Sequence, residues 1–382
     1  MQETYPSRTS RTRGAGHFAR FVLDRRRDIE VFGWFGYGNL GDEAMLVAAE
    51  EALPGRVIGT RMAMRVPALT RLLWQAGRPE LLVAGGTLIN GGTPGWLDYI
   101  EHRVAQGTRI SFMGTGMAFT EEEIAHKAPA WTRWARLMAQ ARTVHLRGPD
   151  SVAMAARMGI EAQDFGDFAF LLHENAGPGA APPLVRSGMR GRPRIGLNFG
   201  HCLGDQAQFE AAAARLVAAL GAAYDLVVHV VVEKDLGPTR RILADAGFAG
   251  GERSPDRAGL VVECHYDDPR RFMASVRGCE AYLGLKLHAA GLAMVAGVPT
   301  QMIAYKPKAR DFMRPLGGRE DLLLDLPLDT DLALARIEGM LADPQPARVS
   351  ARIGAIAARQ RAVLNRSYPL GLGEGESRLG TA

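Results

Sequence analysis

Lysine is scarce in this chain, with five residues (Lys127, Lys234, Lys286, Lys306 and Lys308) against 41 arginines in 382 positions. Cysteine is scarcer still. Cys202, Cys264 and Cys279 have no metal-ligand spacing and cannot all pair, which excludes a disulfide framework and fits a reducing cytoplasm. No apolar run reaches about 18 residues without a charge or a glycine, which excludes a membrane-spanning helix on pattern grounds. A strong excess of one charge is also missing: the balance of +5 is too mild to point to nucleic acid. What is present is ordinary for a globular protein, with 47% apolar and 23% charged residues. The length predicts about two domains plus tails.

The first 28 residues differ from the rest. Before Asp28, Arg8, Arg11, Arg13, Arg20, Arg25, Arg26 and Arg27 face only Glu3 and Asp24, with no apolar core for a secretory signal. Residues 1–28 therefore read as a basic solvated arm, with electrostatic contact to an anionic membrane surface as the alternative role. A transit peptide ranks behind both.

From Ile29 onward, short apolar runs alternate with longer helical stretches, the signature of parallel βαβ units in an α/β fold. Strands are expected at Ile29–Phe35, Leu81–Ala84, Arg109–Met113 and Thr143–Arg147, with helices at Asp42–Leu53 and Pro149–Met158. Residues 173–193 are rich in glycine, proline and alanine and read as a linker. A second series follows, with strands at Arg194–Phe199, Asp225–Val232, Leu260–Cys264, Ala281–Gly284 and Thr300–Ala304. This gives domains at 29–172 and 194–345, a helix at 346–366 that crosses back to the first domain, and a tail at 367–382. Ligands in open α/β sheets bind outside the carboxyl ends of the strands, so the site is expected in the cleft between the halves.

The residues that follow strands are the candidates. Three of the five lysines fall within Leu283–Phe312, together with His288. Lysine is a compact, mobile point charge, and Lys286 and Lys308 beside His288 read as an anion site. Arg147 ends a strand and can grip a carboxylate or phosphate, or pair with Asp150. Gly36, Gly38 and Gly41 satisfy G-x-G-x-x-G, but Asp42 and Glu43 occupy the helix start that a pyrophosphate needs. Asn39 and Asp42 are candidates for binding hydroxyls or ordering the cleft. Gly85, Gly86 and Thr87 form a second loop suited to an anion or a sugar. Asp167 is a cap or a catalytic carboxylate. His201 is a further candidate for lining the cleft. Trp34, Trp74 and Trp96 read as core before sugar-stacking surface.

GYGNLGDEAML, AGGTLINGG, RGPDSVAMAARMGI, GDFAFLL and GLKLHAAGLAMVAGVP with AYKPKARDFM occur in the order found in polysaccharide pyruvyl transferases. The resemblance spans residues 31–316. It implies a GT-B-like architecture of two Rossmann-like domains, acceptor on the first and phosphoenolpyruvate on the second. It also implies transfer of the pyruvyl unit to two sugar hydroxyls as a ketal, releasing phosphate. The family's arginine, histidine and lysine match Arg147, His288 and Lys308, and Lys286 replaces an arginine of its motif. On this reading His288 and Lys308 are catalytic, and Lys286 and Arg147 join them in binding the donor. The implied partners are phosphoenolpyruvate as co-substrate and a sugar or lipid-linked saccharide, with no cofactor, metal or nucleic acid, at a cytoplasmic or membrane-surface location. Three rival readings stay open: a nucleotide-sugar glycosyltransferase with Glu263 on the ribose, an NADP-dependent oxidoreductase with Arg61 on the 2′-phosphate, and a non-catalytic sugar-binding relative that keeps the fold only.

Overall fold

The computed structural model describes residues 28–53, 56–60, 80–92, 94–173, 192–248, 259–342 and 346–368. The arm through residue 27, Arg61, Trp74, positions 174–191 of the linker and the tail from 369 lie outside the described residues. The first half comprises β1 (Asp28–Phe32), α1 (Leu40–Ala52), β2 (Arg56–Gly59), β3 (Glu80–Ala84), β4 (Ile89–Asn90), α2 (Pro94–Ala105) and β5 (Ile110–Thr115). It continues through β6 (Met117–Ala118), α3 (Glu121–Ala125), α4 (Pro129–Ala139), β7 (Val144–Leu146), α5 (Pro149–Arg157) and β8 (Gln163–Asp164). The second half comprises β9 (Arg194–Asn198), α6 (Gln206–Ala223), β10 (Asp225–Val230), α7 (Leu236–Leu243), β11 (Leu260–Cys264), α8 (Pro269–Val276) and β12 (Ala281–Gly284). It ends with α9 (Leu287–Val295), β13 (Thr300–Ile303), α10 (Pro307–Met313), β14 (Leu323–Leu324), α11 (Thr330–Ala342) and α12 (Pro346–Ser367).

Each half carries a six-stranded parallel sheet, in the orders β2-β1-β3-β5-β7-β8 and β11-β10-β9-β12-β13-β14. The fold is thus GT-B-like, built of two Rossmann-like α/β halves. The strands are continuous apolar runs rather than alternating ones. ELLVA of β3, DLVVHV of β10 and AYLG of β12 are buried at every position, as expected where helices cover both faces. The chain reverses direction across the sheet between β1 and β3 in the first half and between β9 and β12 in the second. Crevices at such reversals are where ligands bind.

The two halves share one core. Leu40, Ala44 and Met45 of α1 pack with Leu287, Ala290 and Met294 of α9, with Phe312, and with the Phe168–Leu172 turn. FAFLL is apolar at five successive positions and all five are buried, so this tight turn acts as a plug between the sheets. Burying each large apolar side chain is worth about 1.5–3 kcal/mol. Helix α12 packs on the same turn: Gln360 Nε2 donates to the Asp167 carbonyl at 2.8 Å and Arg361 Nη2 to that of Leu171 at 3.0 Å.

Differences from the expected elements have local causes. β1 stops at Phe32 rather than Phe35, because Phe35 folds back into the core and its ring lies against Gly33. β5 runs on to Thr115, with a register shift at Gly114, whose φ is 66°. Asp28, counted with the arm in the sequence reading, is the first residue of β1. Among the described residues no helix is long and apolar enough to cross a membrane.

Candidate active site

A cavity of about 210 Å³ opens at the carboxyl ends of both sheets. Its lining comes from the loops after β1 (Trp34, Asn39, Asp42), β3 (Gly86, Thr87, Leu88, Asn90, with Trp96 at the start of α2), β7 (Arg147), β12 (His288) and β13 (Lys308). A larger depression, about 270 Å³, sits at the other end of the second sheet. Arg319 pairs there with the Asp321 carboxylate, Arg336 donates to the Asp321 carbonyl, and its lining holds no histidine or lysine.

The loop after β1 is stitched to the second half. Asn39 bridges to Val232, and the Leu40 N–H donates to the Val231 carbonyl at 3.0 Å. Asn39 caps α1: its Oδ1 accepts from the Gly41 N–H at 3.2 Å, and its Nδ2 donates to the Asp42 carboxylate. Glu43 turns back and accepts from the Gly36 N–H. That amide is one a pyrophosphate would need, so the dinucleotide match is a structural turn closed by its own carboxylate. Asp42 is buried at the cavity wall. Burial pushes its pKa up to about 6, against the opposing pull of the His288 and Lys308 charges.

Arg147 closes the opposite wall and is 3% exposed. Its Nη1 donates to the Gly86 carbonyl at 3.3 Å and to Thr87 Oγ1 at 3.2 Å, and its Nη2 lies 3.8 Å from Asp311 Oδ2. Asp150, the partner weighed in the sequence, pairs instead with Arg314. Gly85 and Gly86 take φ of 85° and 56°, which brings this loop against Asp42 and Met45 in the first turns of α1. Gly85 itself packs on Met45 and supports the wall from behind.

His288 sits in the first turn of α9, with Nε2 3.3 Å from Asp167 Oδ2. Asp167 does two jobs. Its Oδ1 accepts from the Ala169 N–H at 2.9 Å and caps the FAFLL turn, and its Oδ2 orients the imidazole. Burial alone would raise its pKa, but the His288 charge and hydrogen bond, aided by Arg147 and the Ala169 amide, take it below the usual range. The other face of the imidazole explains the third glycine of GYGNLG: a Cβ on Gly41 would stand 2.0 Å from His288 Nδ1. Lys308 opens α10, and among the described residues it forms no ion pair. Burial, then the charges of Arg147 and Lys306, lower its pKa to about 8, with Asp42 opposing.

Two expected residues lie elsewhere. Lys286 does not line this cavity. Its Nζ donates to the His201 carbonyl at 2.8 Å and lies 3.1 Å from Asp235 Oδ2, over the Tyr305 ring. His201 Nδ1 is 3.0 Å from Asp235 Oδ1. The cause is Asp235, a fully buried carboxylate that must be paired and draws both residues toward β10. Trp34 and Trp96, read in the sequence as core, form an aromatic edge of the cavity, and Trp34 stacks on Tyr37 with centroids 4.0 Å apart. The signal for Trp34 was its place at the end of the expected first strand, beside the Gly36 loop. Asp311, three residues past Lys308, was missed as the partner of Arg147.

The structure also gathers a trio that sequence spacing conceals: His229, Glu263 and His265. His265 Nε2 lies 2.9 Å from Glu263 Oε2. Ser275 Oγ donates to the same oxygen at 2.6 Å, and His229 Nε2 lies 3.0 Å from Ser275 Oγ. Both Nδ1 atoms are buried without a partner. A metal held through the Nε2 atoms would leave two buried N–H groups with no acceptor, so the trio fits a hydrogen-bonded network better than a metal centre. Glu263, the acid that a nucleotide-sugar reading assigns to a ribose, is engaged in that network.

The polysaccharide pyruvyl transferase family model matches residues 39–307, well over half of the chain. No curated protein matches the sequence significantly. Among solved structures, a putative UDP-N-acetylglucosamine 2-epimerase from Listeria monocytogenes is similar at TM-score 0.54 and 12% identity, over 91% of this chain and 97% of that one. The UDP-GlcNAc 2-epimerase from Neisseria meningitidis, bound to UDP-GlcNAc, gives 0.54 and 9%, over 89% and 99%. The α,α-trehalose 6-phosphate synthase from Burkholderia multivorans gives 0.52 and 12%, over 90% and 95%. Identities this low speak for the fold alone.

Proposed function

The chain belongs to the polysaccharide pyruvyl transferase family, and from that premise we propose that it transfers the pyruvyl unit of phosphoenolpyruvate to two hydroxyls of a saccharide, forming a cyclic ketal and phosphate. The observation that carries this reading is the meeting, in one cavity, of the Lys308 ammonium, the Arg147 guanidinium and the His288–Asp167 pair. Phosphoenolpyruvate carries a phosphate and a carboxylate, so its pocket needs more than one cation. Lys308 and Arg147 supply them, and Lys286 is not needed.

His288, oriented by Asp167, donates a proton to the methylene carbon. The central carbon becomes electrophilic and the first acceptor hydroxyl attacks it. The bond from that carbon to the phosphate oxygen breaks, phosphate leaves, and the second hydroxyl closes the ring. Two hydroxyl protons are released: one replaces the proton that His288 gave to carbon and the other departs on phosphate. Lys308 and Arg147 stabilise the negative charge that builds on the leaving phosphate. The chemistry uses phosphoenolpyruvate as co-substrate and requires no cofactor. The acceptor is a sugar, free or lipid-linked, that meets the indole edge of Trp34 and Trp96 and the carboxamides of Asn39 and Asn90.

The test is phosphate release from phosphoenolpyruvate over a saccharide panel, with mass spectrometry of the product. Acceptor-dependent release and a ketal-linked pyruvate are expected, and His288→Ala and Lys308→Ala abolish both while the far-ultraviolet spectrum stays native. Wild-type turnover in both variants would show the site to be misassigned.

A further inference from the structure

We propose that Asp42 is the base of this reaction: its carboxylate takes the proton from the acceptor hydroxyl that attacks the central carbon of phosphoenolpyruvate. The inference rests on the reading given above and adds to it the group that activates the acceptor.

Among the described residues Asp42 is the one carboxylate that lines the cavity, and Asp167 and Asp311 stand behind His288 and Arg147. Asp167 is fully engaged, with one oxygen on the Ala169 amide and the other on His288. Asp311 accepts from the Asp150 N–H at 3.1 Å and faces Arg147 with its second oxygen. Asp42 accepts only from Asn39 Nδ2, and among the described residues its Oδ1 has no protein donor. That oxygen points toward Gly86, where an added Cβ would stand 3.3 Å away. Glycine there leaves room for a hydroxyl.

The ordinary role for an acid in a first helical turn is to satisfy amides and the helix dipole. Others meet those amides here: Asn39 Oδ1 takes the Gly41 N–H, the Asn39 carbonyl takes those of Asp42 and Glu43, and the Val231 carbonyl takes that of Leu40. Asp42 is therefore a buried carboxylate whose one hydrogen bond, from Asn39 Nδ2, leaves its other oxygen without a protein donor among the described residues. It shares the cavity with the proposed donor-binding cations and lies with Asn39 on the loop nearest Trp34. Its charged neighbours are His288 on α9, Lys308 on α10 and Asp167 before the FAFLL turn, with Glu43 beside it on α1. With a pKa of about 6 it is ionised at neutral pH yet basic enough to accept a proton.

In the proposed step the acceptor O–H bond breaks toward Asp42 as the new C–O bond forms. The proton on Asp42 then returns through solvent to His288, which has given one to carbon, and the second hydroxyl proton leaves on phosphate. No oxidant or further reactant enters.

Asp42→Asn keeps the shape and removes the basicity. The expected result is a fall of about 10²- to 10⁴-fold in saccharide-dependent phosphate release, with phosphoenolpyruvate affinity held within about threefold and Asp42→Glu recovering part of the rate. The acidic limb of the wild-type pH profile near 6 should vanish from the residual activity of Asp42→Asn. If the Asp42→Asn variant turns over at the wild-type rate, or retains the acidic limb, the role of Asp42 is overturned. Wild-type protein that fails to bind phosphoenolpyruvate overturns the underlying reading along with it.

Discussion

A base buried at a cavity wall costs the fold stability, and the cost of Asp42 can be worked out. Its carboxyl titrates near 6 in the folded chain, against an ordinary value of 3.8. The sign follows from proton counts. Between these values the folded state holds a proton that the unfolded state has released, so stability present at low pH is lost as pH rises through about 6. The full loss is about 3 kcal/mol at 1.36 kcal/mol per unit. About half of it, roughly 1.4 kcal/mol, is still to be lost between pH 5 and pH 7.5. Asp42→Asn does not titrate, so its stability relative to wild type should improve by that amount between the two conditions, whatever the substituted carboxamide's packing contributes at both. Urea unfolding of both proteins at pH 5 and 7.5, with equal slopes, reads the change directly. The gain would accompany lost activity, as expected when a group is held at a site for function rather than stability. A difference between the two proteins that stays constant with pH, or shrinks as pH rises, would refute the claim that Asp42 is held in an unfavourable environment.

Other expectations test the neighbouring groups. Gly41→Ala drives a methyl group to within 2.0 Å of His288 Nδ1, so the imidazole must leave Asp167. Phosphate release should fall at least about 100-fold while phosphoenolpyruvate still binds, and turnover near wild type would contradict the assigned geometry. Lys308 loses its charge as pH rises through about 8, so calorimetry should find affinity for phosphoenolpyruvate dropping between pH 7 and 9.5. Lys308→Arg should flatten that dependence, because guanidinium stays charged across the range. Asp235→Asn breaks the buried pair with Lys286 and should destabilise by about 3 kcal/mol in denaturant titrations. The same variant should leave phosphoenolpyruvate affinity within about threefold; a large loss would return Lys286 to the site.

Much of this site was legible because chemistry follows strands in such folds. Glycine-rich loops after β1 and β3, the arginine directly after β7, and the histidine and lysine after β12 and β13 could be found from apolar runs and their punctuation. Lys286 was not separable from His288 by spacing. The two are two residues apart, yet Lys286 occupies the N-cap position in extended conformation and turns toward β10, while His288 lies in the first helical turn and faces α1. What divides them is Asp235, distant in sequence and made adjacent by the sheet order. The partner of Arg147 was hidden in the same way: Asp150 is nearby in the chain, but Asp311 is nearby in space. Trp34 was misread because an aromatic at a strand end is indistinguishable from core until the loop's path is known. The split duty of Asp167, one oxygen for a turn and one for His288, needs the FAFLL plug in place before it can be seen.

The most direct measurement is equilibrium binding of phosphoenolpyruvate at pH 7 to wild-type protein and to Lys308→Met. Saturable one-to-one binding to wild type, weakened by at least about 30-fold in the variant, which is about 2 kcal/mol for a lost charge-assisted contact, is the predicted result. No binding to wild type, or equal affinity in the two proteins, would contradict the account of this cleft as a phosphoenolpyruvate site.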